Sequence, residues 1–293
     1  YASYFDINWK SPEEKLRNKV LAPILGDHYG RVLSSGHLRV ERHEGDFRVH
    51  YFDHELPASP RSLVSILAAA ARQTGSDLLG FLADSIARLP RATVTDRPSV
   101  LARHRDKEVV HLLLTRLCRE VPFIAEAIDG VLQQVNADPN LLDNFLENQN
   151  YRVAFWKTAG EELVYRRFFD VNTLAGLRVE REEVFYDTHA LILKWLKEGV
   201  LDGIRIDHPD GLREPRRYFE RLREAAPDVW IVAEKILEPG EWLPTSWPVD
   251  GTTGYDFLNQ VNGLFVDPRG LEDLTEIYEE FIGQPVDYKA LTR

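Results

Sequence analysis

One short apolar segment places an arginine and an aspartate where they could act together. In residues 203–207, GIRID, the side chains of a β-strand would alternate between two faces, so Arg205 and Asp207 project to the same side. A guanidinium close to a carboxyl group stabilises its charged form, which keeps an aspartate ionised and nucleophilic at neutral pH. The same two residues could equally form a structural ion pair, and the pentapeptide alone leaves both interpretations open.

A second carboxyl group follows a second apolar segment. Glu234 ends the run DVWIVAE, 27 residues after Asp207, which is the length of one helix, its two loops and the next strand. Adjacent strands lie about 4.8 Å apart, so two carboxyl groups at neighbouring strand ends can meet. Retaining glycosidases need such a pair roughly 5 Å apart, one attacking the anomeric carbon and one acting as acid and then base. The apolar residues before Glu234 favour its neutral form, as a general acid requires.

The pattern around these residues predicts βα units. A helix over 182–198, ended by Gly199, precedes the first strand, and the helix-like run REPRRYFERLREAA separates the two strands. Alternation of strands and helices is typical of a parallel sheet, and (β/α)8 barrels carry their active sites at the carboxyl ends of the strands. The sequence therefore predicts an α/β fold that is part of a (β/α)8 TIM-type barrel.

The first half of the chain has two other patterns. HLRVERHEGDFRVHYFD alternates apolar and polar residues on both sides of 44–46, which predicts a β-hairpin. Residues 59–148 have a helical period, with Ser76 as an expected N-cap, and predict a large, mainly helical insertion. The apolar stripe of one of these helices is read as Leu78, Phe81, Leu82, Ile86 and Leu89.

Composition argues against several classes of function. A formal net charge of -11 over 293 residues disfavours nucleic acid or an anionic membrane as a partner, since both attract clustered Lys and Arg. The single cysteine, Cys118, lies in an apolar helical run and is predicted to be a buried thiol. No apolar run approaches the ~20 residues that span a bilayer, and no signal region opens the chain. These features predict a cytoplasmic globular protein with neither a nucleic-acid nor a membrane partner.

No metal or organic cofactor is expected, because a carboxylate that attacks directly needs no metal-activated water. The histidines of the first 54 residues are spaced too irregularly for a ligand set: His28, His37, His43, His50 and His54.

Several segments resemble a known family. GIRIDHPDG and VWIVAEKIL are similar to two signature regions of the α-amylase superfamily, glycoside hydrolase family 13. Within it, YASYFDINW, ILGDHYG, residues 150–180 and TTGYDFLNQVNGLFVDP together resemble the maltooligosyl trehalose synthase family along nearly the whole chain. The helical middle resembles that family only weakly.

The resemblance implies a role for each of several residues. Asp207 matches the nucleophile, Glu234 the acid/base and Arg205 the arginine beside the nucleophile. FFDVN resembles a further signature that would lie near the substrate. The implied substrate-binding residues are Asp170, Asn172, His208 and Lys235. His208 has an alternative role as a hydrogen-bonding residue of its loop.

The resemblance also implies a reaction and a division of the chain. The reaction is intramolecular transglucosylation by a retaining double displacement, which converts the terminal α-1,4 linkage of malto-oligosaccharides to an α-1,1 linkage. Residues 1–58 would be a loop and β-hairpin segment following barrel strand 3, residues 59–148 the helical insertion subdomain, and residues 149–293 barrel βα units including strands 4 and 5.

Two departures from the superfamily pattern keep alternatives open. Asp210 and Gly211 occupy the positions of a common Lys-His pair, which tells against an ordinary amylase. The first and fourth signatures do not occur in the sequence, so we expect a central fragment of the enzyme that is inactive alone. A 4-α-glucanotransferase, an α-amylase-type hydrolase and an inactive sugar-binding or structural piece are the alternatives.

Overall fold

Mixed α/β structure runs through the part of the chain that the structure, a computed structural model, describes: residues 2–94, 96–287 and 290. The outer ends of the expected domains, Tyr1 and Arg293, lie outside those residues. The chain divides into two compact units, residues 1–176 and 177–293, and each is described by itself. The predicted α/β class is confirmed.

Helices and strands are interspersed in both units. The helices of the described residues are α1 (Tyr29–Ser34), α2 (Val64–Thr74), α3 (Asp77–Arg88), α4 (Arg97–Glu120), α5 (Pro122–Ala137), α6 (Pro139–Glu147), α7 (Glu182–Lys197), α8 (Pro215–Ala225), α9 (Asp256–Gly263) and α10 (Gly270–Ile282). Their strands are β1 (Val20–Leu25), β2 (Leu38–His43), β3 (Asp46–Tyr51), β4 (His54–Pro57), β5 (Tyr151–Phe155), β6 (Arg167–Phe168), β7 (Val171–Ala175), β8 (Gly203–Ile206), β9 (Trp230–Ala233) and β10 (Gly251–Thr252). Short 3₁₀ turns occur between several of them. No helix in the described residues is both long and apolar enough to cross a membrane.

The predicted β-hairpin is confirmed. Strands β2 and β3 pair antiparallel, with Leu38 opposite Tyr51 and Val40 opposite Val49, and β4 extends the sheet on the other side of β3. Burial follows the alternation seen in the sequence, because Leu38 and Val40 are buried while Arg39 and Glu41 are exposed. Glu44 takes the left-handed conformation at the turn, with φ 55°.

The helical character of residues 59–148 is confirmed, but one apolar stripe was assigned wrongly. Ser76 caps α3 as expected, its hydroxyl accepting a hydrogen bond from the Leu79 N–H at 3.2 Å. Leu78 and Phe81 are exposed, whereas Leu82, Ile86 and Leu89 are buried. The buried stripe of α3 is Leu79, Leu82, Ala83 and Ile86. Both stripes fit helical spacing and share Leu82 and Ile86, so the period alone does not choose between them; packing of α3 against α2 does.

Strands β1 and β5 are neighbours although more than a hundred residues separate them. They pair in parallel, with Val20 opposite Tyr151 and Ala22 opposite Val153. Helices α1–α6 and the hairpin sheet lie between these two strands in sequence. Cys118, on α4, is buried in the core of this unit as predicted, and burial raises the pKa of its thiol.

Asn136 joins helix α5 to the outer edge of the hairpin sheet. Its side-chain amide accepts a hydrogen bond from the Val40 N–H at 2.8 Å and donates one to the Val40 carbonyl at 2.9 Å, as a neighbouring strand would. Asn136→Ala leaves both backbone groups without this partner, and we expect it to lower the free energy of unfolding by about 1–3 kcal/mol. Urea titration measures this. Asn140→Ala, an exposed asparagine on α6, is the control, and equal stability of the two variants would contradict the assignment.

The second unit contains the predicted parallel strands. Strands β8, β9 and β10 form one parallel sheet in the order β10-β9-β8, with Gly203 opposite Trp230 and Ile206 opposite Ala233. Helix α8 connects β8 to β9, and α7 ends before Gly199, whose φ is 67°. The core of this unit consists of Phe185, Tyr218, Phe219, Leu222, Ile231 and Ala233. Ile204 and Ile206 pack against that core, which leaves Arg205 on the opposite face.

Helices α9 and α10 have apolar residues but bury none of them. Phe257, Phe265, Leu274 and Phe281 are among the most exposed apolar side chains of the described residues. Exposed apolar surface of this kind is typical of a face that packs against other polypeptide.

Candidate active site

The two predicted carboxyl groups lie side by side. Asp207 directly follows β8 and Glu234 directly follows β9, and the Glu234 N–H donates to the Ile206 carbonyl at 2.8 Å, which continues the pairing of the two strands. One oxygen of Asp207 lies within 4.8 Å of one oxygen of Glu234. A separation beyond about 10 Å would have ruled out a paired mechanism. Parallel pairing of β8 and β9 is what brings the groups together.

Arg205 holds both carboxyl groups. Its Nη1 donates to Asp207 Oδ1 at 2.6 Å, and its Nη2 lies 3.0 Å from Glu234 Oε1. The predicted pairing of Arg205 with Asp207 is therefore confirmed, and it extends to Glu234. A planar guanidinium that contacts two carboxyl groups fixes the distance between them as well as compensating their charge.

The electrostatic balance of the site favours an ionised Asp207. The neighbouring Glu234 side chain and the hydrogen bond from Arg205 hold the pKa of Asp207 below its ordinary value of 3.8. The Glu234 side chain is the more shielded of the two, 22% exposed against 59% for Asp207.

His208 completes the cluster through its backbone as well as its ring. Its N–H donates to Glu234 Oε2 at 3.1 Å, and its ring nitrogens lie 3.5 Å from Asp207 Oδ2 and 3.6 Å from Glu234 Oε2. The residue is left-handed, with φ 47°, a conformation that costs a non-glycine residue free energy and is common at functional sites. The strained turn aims the N–H at the acid group, so His208 belongs to the cluster.

Asp207, His208 and Glu234 are also the residues of the described chain best placed to hold a metal ion, since each offers a ligand atom within 4.8 Å of the others. Arg205 opposes that use. Its guanidinium already contacts both carboxyl groups, and a divalent cation there would meet a fixed positive charge. The arrangement fits acid-base and nucleophilic chemistry of paired carboxyl groups better than metal chemistry.

Comparison with known proteins adds to this geometry. No family model matches the chain. A protein of Mycobacterium tuberculosis provisionally named maltooligosyl trehalose synthase is 44% identical over 146 residues, which are 50% of this chain and 18% of that protein. The structure of maltooligosyltrehalose synthase from Arthrobacter ramosus aligns with 99% of this chain at a TM-score of 0.58 and 31% identity. The chain resembles the maltooligosyl trehalose synthases.

The similarity is confined to part of each relative. This chain covers 27% of the Arthrobacter ramosus maltooligosyltrehalose synthase, so it spans about a quarter of that protein's length. A 1,4-alpha-glucan branching enzyme GlgB from Fusobacterium nucleatum is 34% identical over 98 residues, 28% of this chain and 16% of that enzyme. Similarity to a second enzyme of α-glucan chemistry agrees with the resemblance to the α-amylase superfamily, and the maltooligosyl trehalose synthase similarity extends further along the chain.

The substrate-binding residues implied by the maltooligosyl trehalose synthase resemblance fall into two groups. Lys235 lies in the second unit beside Glu234, and its Nζ is 2.9 Å from Glu241 and 3.4 Å from Asp210. A hydrogen bond with Glu241 chiefly raises the pKa of Lys235. Lys235 therefore links Asp210, which follows β8, to Glu241, which follows β9.

Asp170 and Asn172 lie in the first unit, on the β6–β7 hairpin. Arg167 donates to Asp170 Oδ1 at 2.7 Å and also hydrogen-bonds the Asn172 side chain. The Asp170 side chain is 98% exposed, so its oxygens are accessible to a ligand. The hairpin holds the two residues together through Arg167, and their part in binding stays a prediction.

Sequence reasoning missed Thr253. Its hydroxyl accepts a hydrogen bond from Arg205 Nε at 2.9 Å, directly behind the carboxyl groups. The signal is the short run Thr252-Thr253-Gly254 at the end of a third strand, β10, whose two residues are too few to reveal a strand by alternation.

The first unit contains a cavity of about 360 Å³ between the hairpin sheet, α3 and α4. It is lined by core residues such as Phe47, Leu63 and Leu114, with Lys107 and His111 at polar positions. The two acidic residues of its lining each lie beside a basic side chain, Asp46 near His111 and Glu55 against Arg48, and we therefore place the chemistry at the strand ends of the second unit.

Proposed function

We propose that the complete natural protein carrying this sequence is an intramolecular transglucosylase that converts the terminal α-1,4 linkage of malto-oligosaccharides to an α-1,1 linkage. The observation that carries the proposal is the strand-end pair Asp207 and Glu234, whose oxygens approach within 4.8 Å under a shared Arg205. Similarity to maltooligosyl trehalose synthases along 99% of this chain supports this reaction over the others that two carboxyl groups can perform.

The first displacement uses both carboxyl groups. Glu234 donates its proton to the glycosidic oxygen while Asp207 attacks the anomeric carbon, so the C–O bond to the reducing-end sugar breaks and an ester to Asp207 forms. The lowered pKa of Asp207 and the exposure of its side chain suit a nucleophile, and the shielded, hydrogen-bonded Glu234 suits a proton donor.

The second displacement reverses the roles. The released sugar attacks the anomeric carbon of the glycosyl ester through its own anomeric hydroxyl group, so the bond from that carbon to the Asp207 oxygen breaks, and Glu234, now ionised, removes the proton of the hydroxyl. Two inversions retain the α configuration and give an α-1,1 linkage. Water must be kept from the ester during this exchange, because attack by water would give hydrolysis.

The proposal includes an architecture. We propose that residues 149–293 supply βα units of a (β/α)8 barrel, that residues 1–58 follow its third strand, and that residues 59–148 are the helical insertion. Parallel pairing of β1 with β5 around the hairpin and helices supports an insertion, and the parallel sheet β8-β9-β10 supports the barrel units.

Arg205 gives a direct test of the electrostatics. Arg205→Gln removes the cation between the two carboxyl groups, and we expect kcat to fall about 100-fold. Glu234 and Arg205 together keep Asp207 ionised in acid, so loss of Arg205 raises the pKa of Asp207 toward 3.8 and moves the acid limb of the activity profile to higher pH. Arg216→Gln, which removes an exposed ion pair with Glu220, is the control. An unchanged acid limb in Arg205→Gln would contradict this assignment.

A second candidate function is 4-α-glucan transfer or hydrolysis, which the similarity to a 1,4-alpha-glucan branching enzyme favours. It uses the same carboxyl groups and differs in the acceptor.

Product analysis separates the two functions. Incubation with maltopentaose, followed by a reducing-sugar assay and carbon NMR, is expected to show loss of reducing ends at constant chain length and an α-1,1 signal. New reducing ends or longer chains would support the second function. No turnover by the complete protein would favour an inactive sugar-binding or structural protein.

A further inference from the structure

The Arg205 guanidinium uses its nitrogens on three different partners. Nη1 and Nη2 contact Asp207 and Glu234, while Nε donates to the Thr253 hydroxyl at 2.9 Å. Contacts at all three nitrogens restrict both the rotation and the displacement of a planar guanidinium. Two of these partners are reacting groups whose charges change during the reaction. Thr253 is the neutral partner, whose hydrogen bond persists in every protonation state.

Thr253 is itself held in place from the backbone. Its N–H donates to the Ala233 carbonyl at 2.9 Å, one residue before Glu234. The neighbouring Thr252 hydroxyl donates to the Lys235 carbonyl at 2.8 Å, one residue after Glu234. The end of β10 is thus bound to β9 on both sides of the acid residue. A β-branched side chain on this fixed backbone has few rotamers, so the hydroxyl is preorganised for Arg205.

Gly254, the residue after Thr253, lies very close to the backbone of the segment that follows β9. A Cβ atom at Gly254 would overlap the carbonyl oxygen of Lys235. Gly254 also donates its N–H to the Thr252 hydroxyl at 2.9 Å, which completes a compact turn at the end of the third strand. Glycine is needed at this position for the strand end to lie against Glu234, and the turn delivers Thr253 to Arg205.

We propose that Thr253 is a positioning residue, which acts through Arg205 to hold the guanidinium between the nucleophile and the acid. The inference rests on the proposed function of Asp207 and Glu234. Arg205 is 45% exposed, so without the Thr253 hydroxyl its head group gains access to solvent-facing rotamers. The two carboxyl groups then lose their common partner for part of the time, and the rate of the chemical step falls while substrate binding is retained.

The matched variants are Thr253→Val, which removes the hydroxyl at nearly constant volume, and Thr253→Ser, which keeps it. Thr275→Val, at an exposed position of α10, is the control because the Thr275 hydroxyl donates to the Leu271 carbonyl of its own helix. In the complete protein we expect Thr253→Val to lower kcat about 10-fold with KM within about 2-fold of the wild type. Thr253→Ser and Thr275→Val should stay near wild-type kcat, and all three should unfold at similar temperatures.

A second measurement does not depend on turnover. The side-chain Nε–H resonance of Arg205, assigned by its loss in Arg205→Lys, should shift in Thr253→Val and keep its wild-type position in Thr253→Ser. Unchanged kcat and an unchanged resonance in Thr253→Val would overturn the proposal, as would equal losses of kcat in the valine and serine variants. If the wild type makes a product other than an α-1,1 disaccharide end, the proposed function fails, and the resonance alone decides the role of Thr253.

Discussion

Asp207→Asn is expected to abolish the formation of the α-1,1 linkage and the side hydrolysis together, with a fall in kcat of more than about 10³-fold. Both reactions pass through the same ester, and a neutral amide does not form it. The amide oxygen can still accept the hydrogen bond that Arg205 donates at 2.6 Å, so the loss does not follow from a collapsed site. Measurement of both products from one incubation tests this.

The control for Asp207→Asn is Asp228→Asn, an exposed aspartate in the loop before β9. It changes the formal charge equally and should leave both rates unchanged. Near-normal turnover in Asp207→Asn would show that another group attacks the sugar. Selective loss of only one of the two products would show that they do not share an intermediate.

Glu234→Gln is expected to have a split effect that depends on the leaving group. Turnover of malto-oligosaccharides should fall by about 10²–10⁴-fold, because a sugar hydroxyl is a poor leaving group without a proton. A glycosyl fluoride needs no such proton, so Asp207 should still attack it. The second displacement lacks its base, and the ester should accumulate as a burst of fluoride that ends near one equivalent per site.

Glutamine at position 234 preserves much of the local geometry. Its amide oxygen can accept from either Arg205 or the His208 N–H, the two donors that Glu234 contacts at 3.0 Å and 3.1 Å. Glu276→Gln on α10 is the matched control and should leave both substrates unaffected. Equal losses with malto-oligosaccharide and fluoride would mean that Glu234 is not the proton donor.

The parts of the site that follow from local alternation could be predicted from sequence. The pattern GIRID places Arg205 and Asp207 on one face, and the 27-residue spacing to Glu234 is that of one strand-helix-strand unit. Parallel pairing of β8 with β9 then follows, and with it the closeness of the carboxyl groups. The closeness of these two carboxyl groups is predictable because one strand-helix-strand unit of the chain determines it.

The parts that depend on packing between distant segments could not be predicted. Leu78 and Leu79 both fit a helical stripe, and only the neighbouring helix decides that Leu79 is buried. Thr253 reaches Arg205 from a strand of two residues, which leaves no periodic signal. The His208 N–H points at Glu234 because of a left-handed turn, and nothing in the residue type requires that conformation.

The assignment of Asp207 as the nucleophile and Glu234 as the acid is tested most directly by finding which residue carries the covalently bound sugar. The Glu234→Gln variant of the complete protein is incubated with a glycosyl fluoride, digested with a protease and analysed by tandem mass spectrometry. We predict one added glycosyl mass on the peptide that contains Asp207, with fragment ions placing it on that residue, and no adduct in Asp207→Asn. An adduct on the peptide that contains position 234, or on any residue other than Asp207, would contradict the assignment of nucleophile and acid.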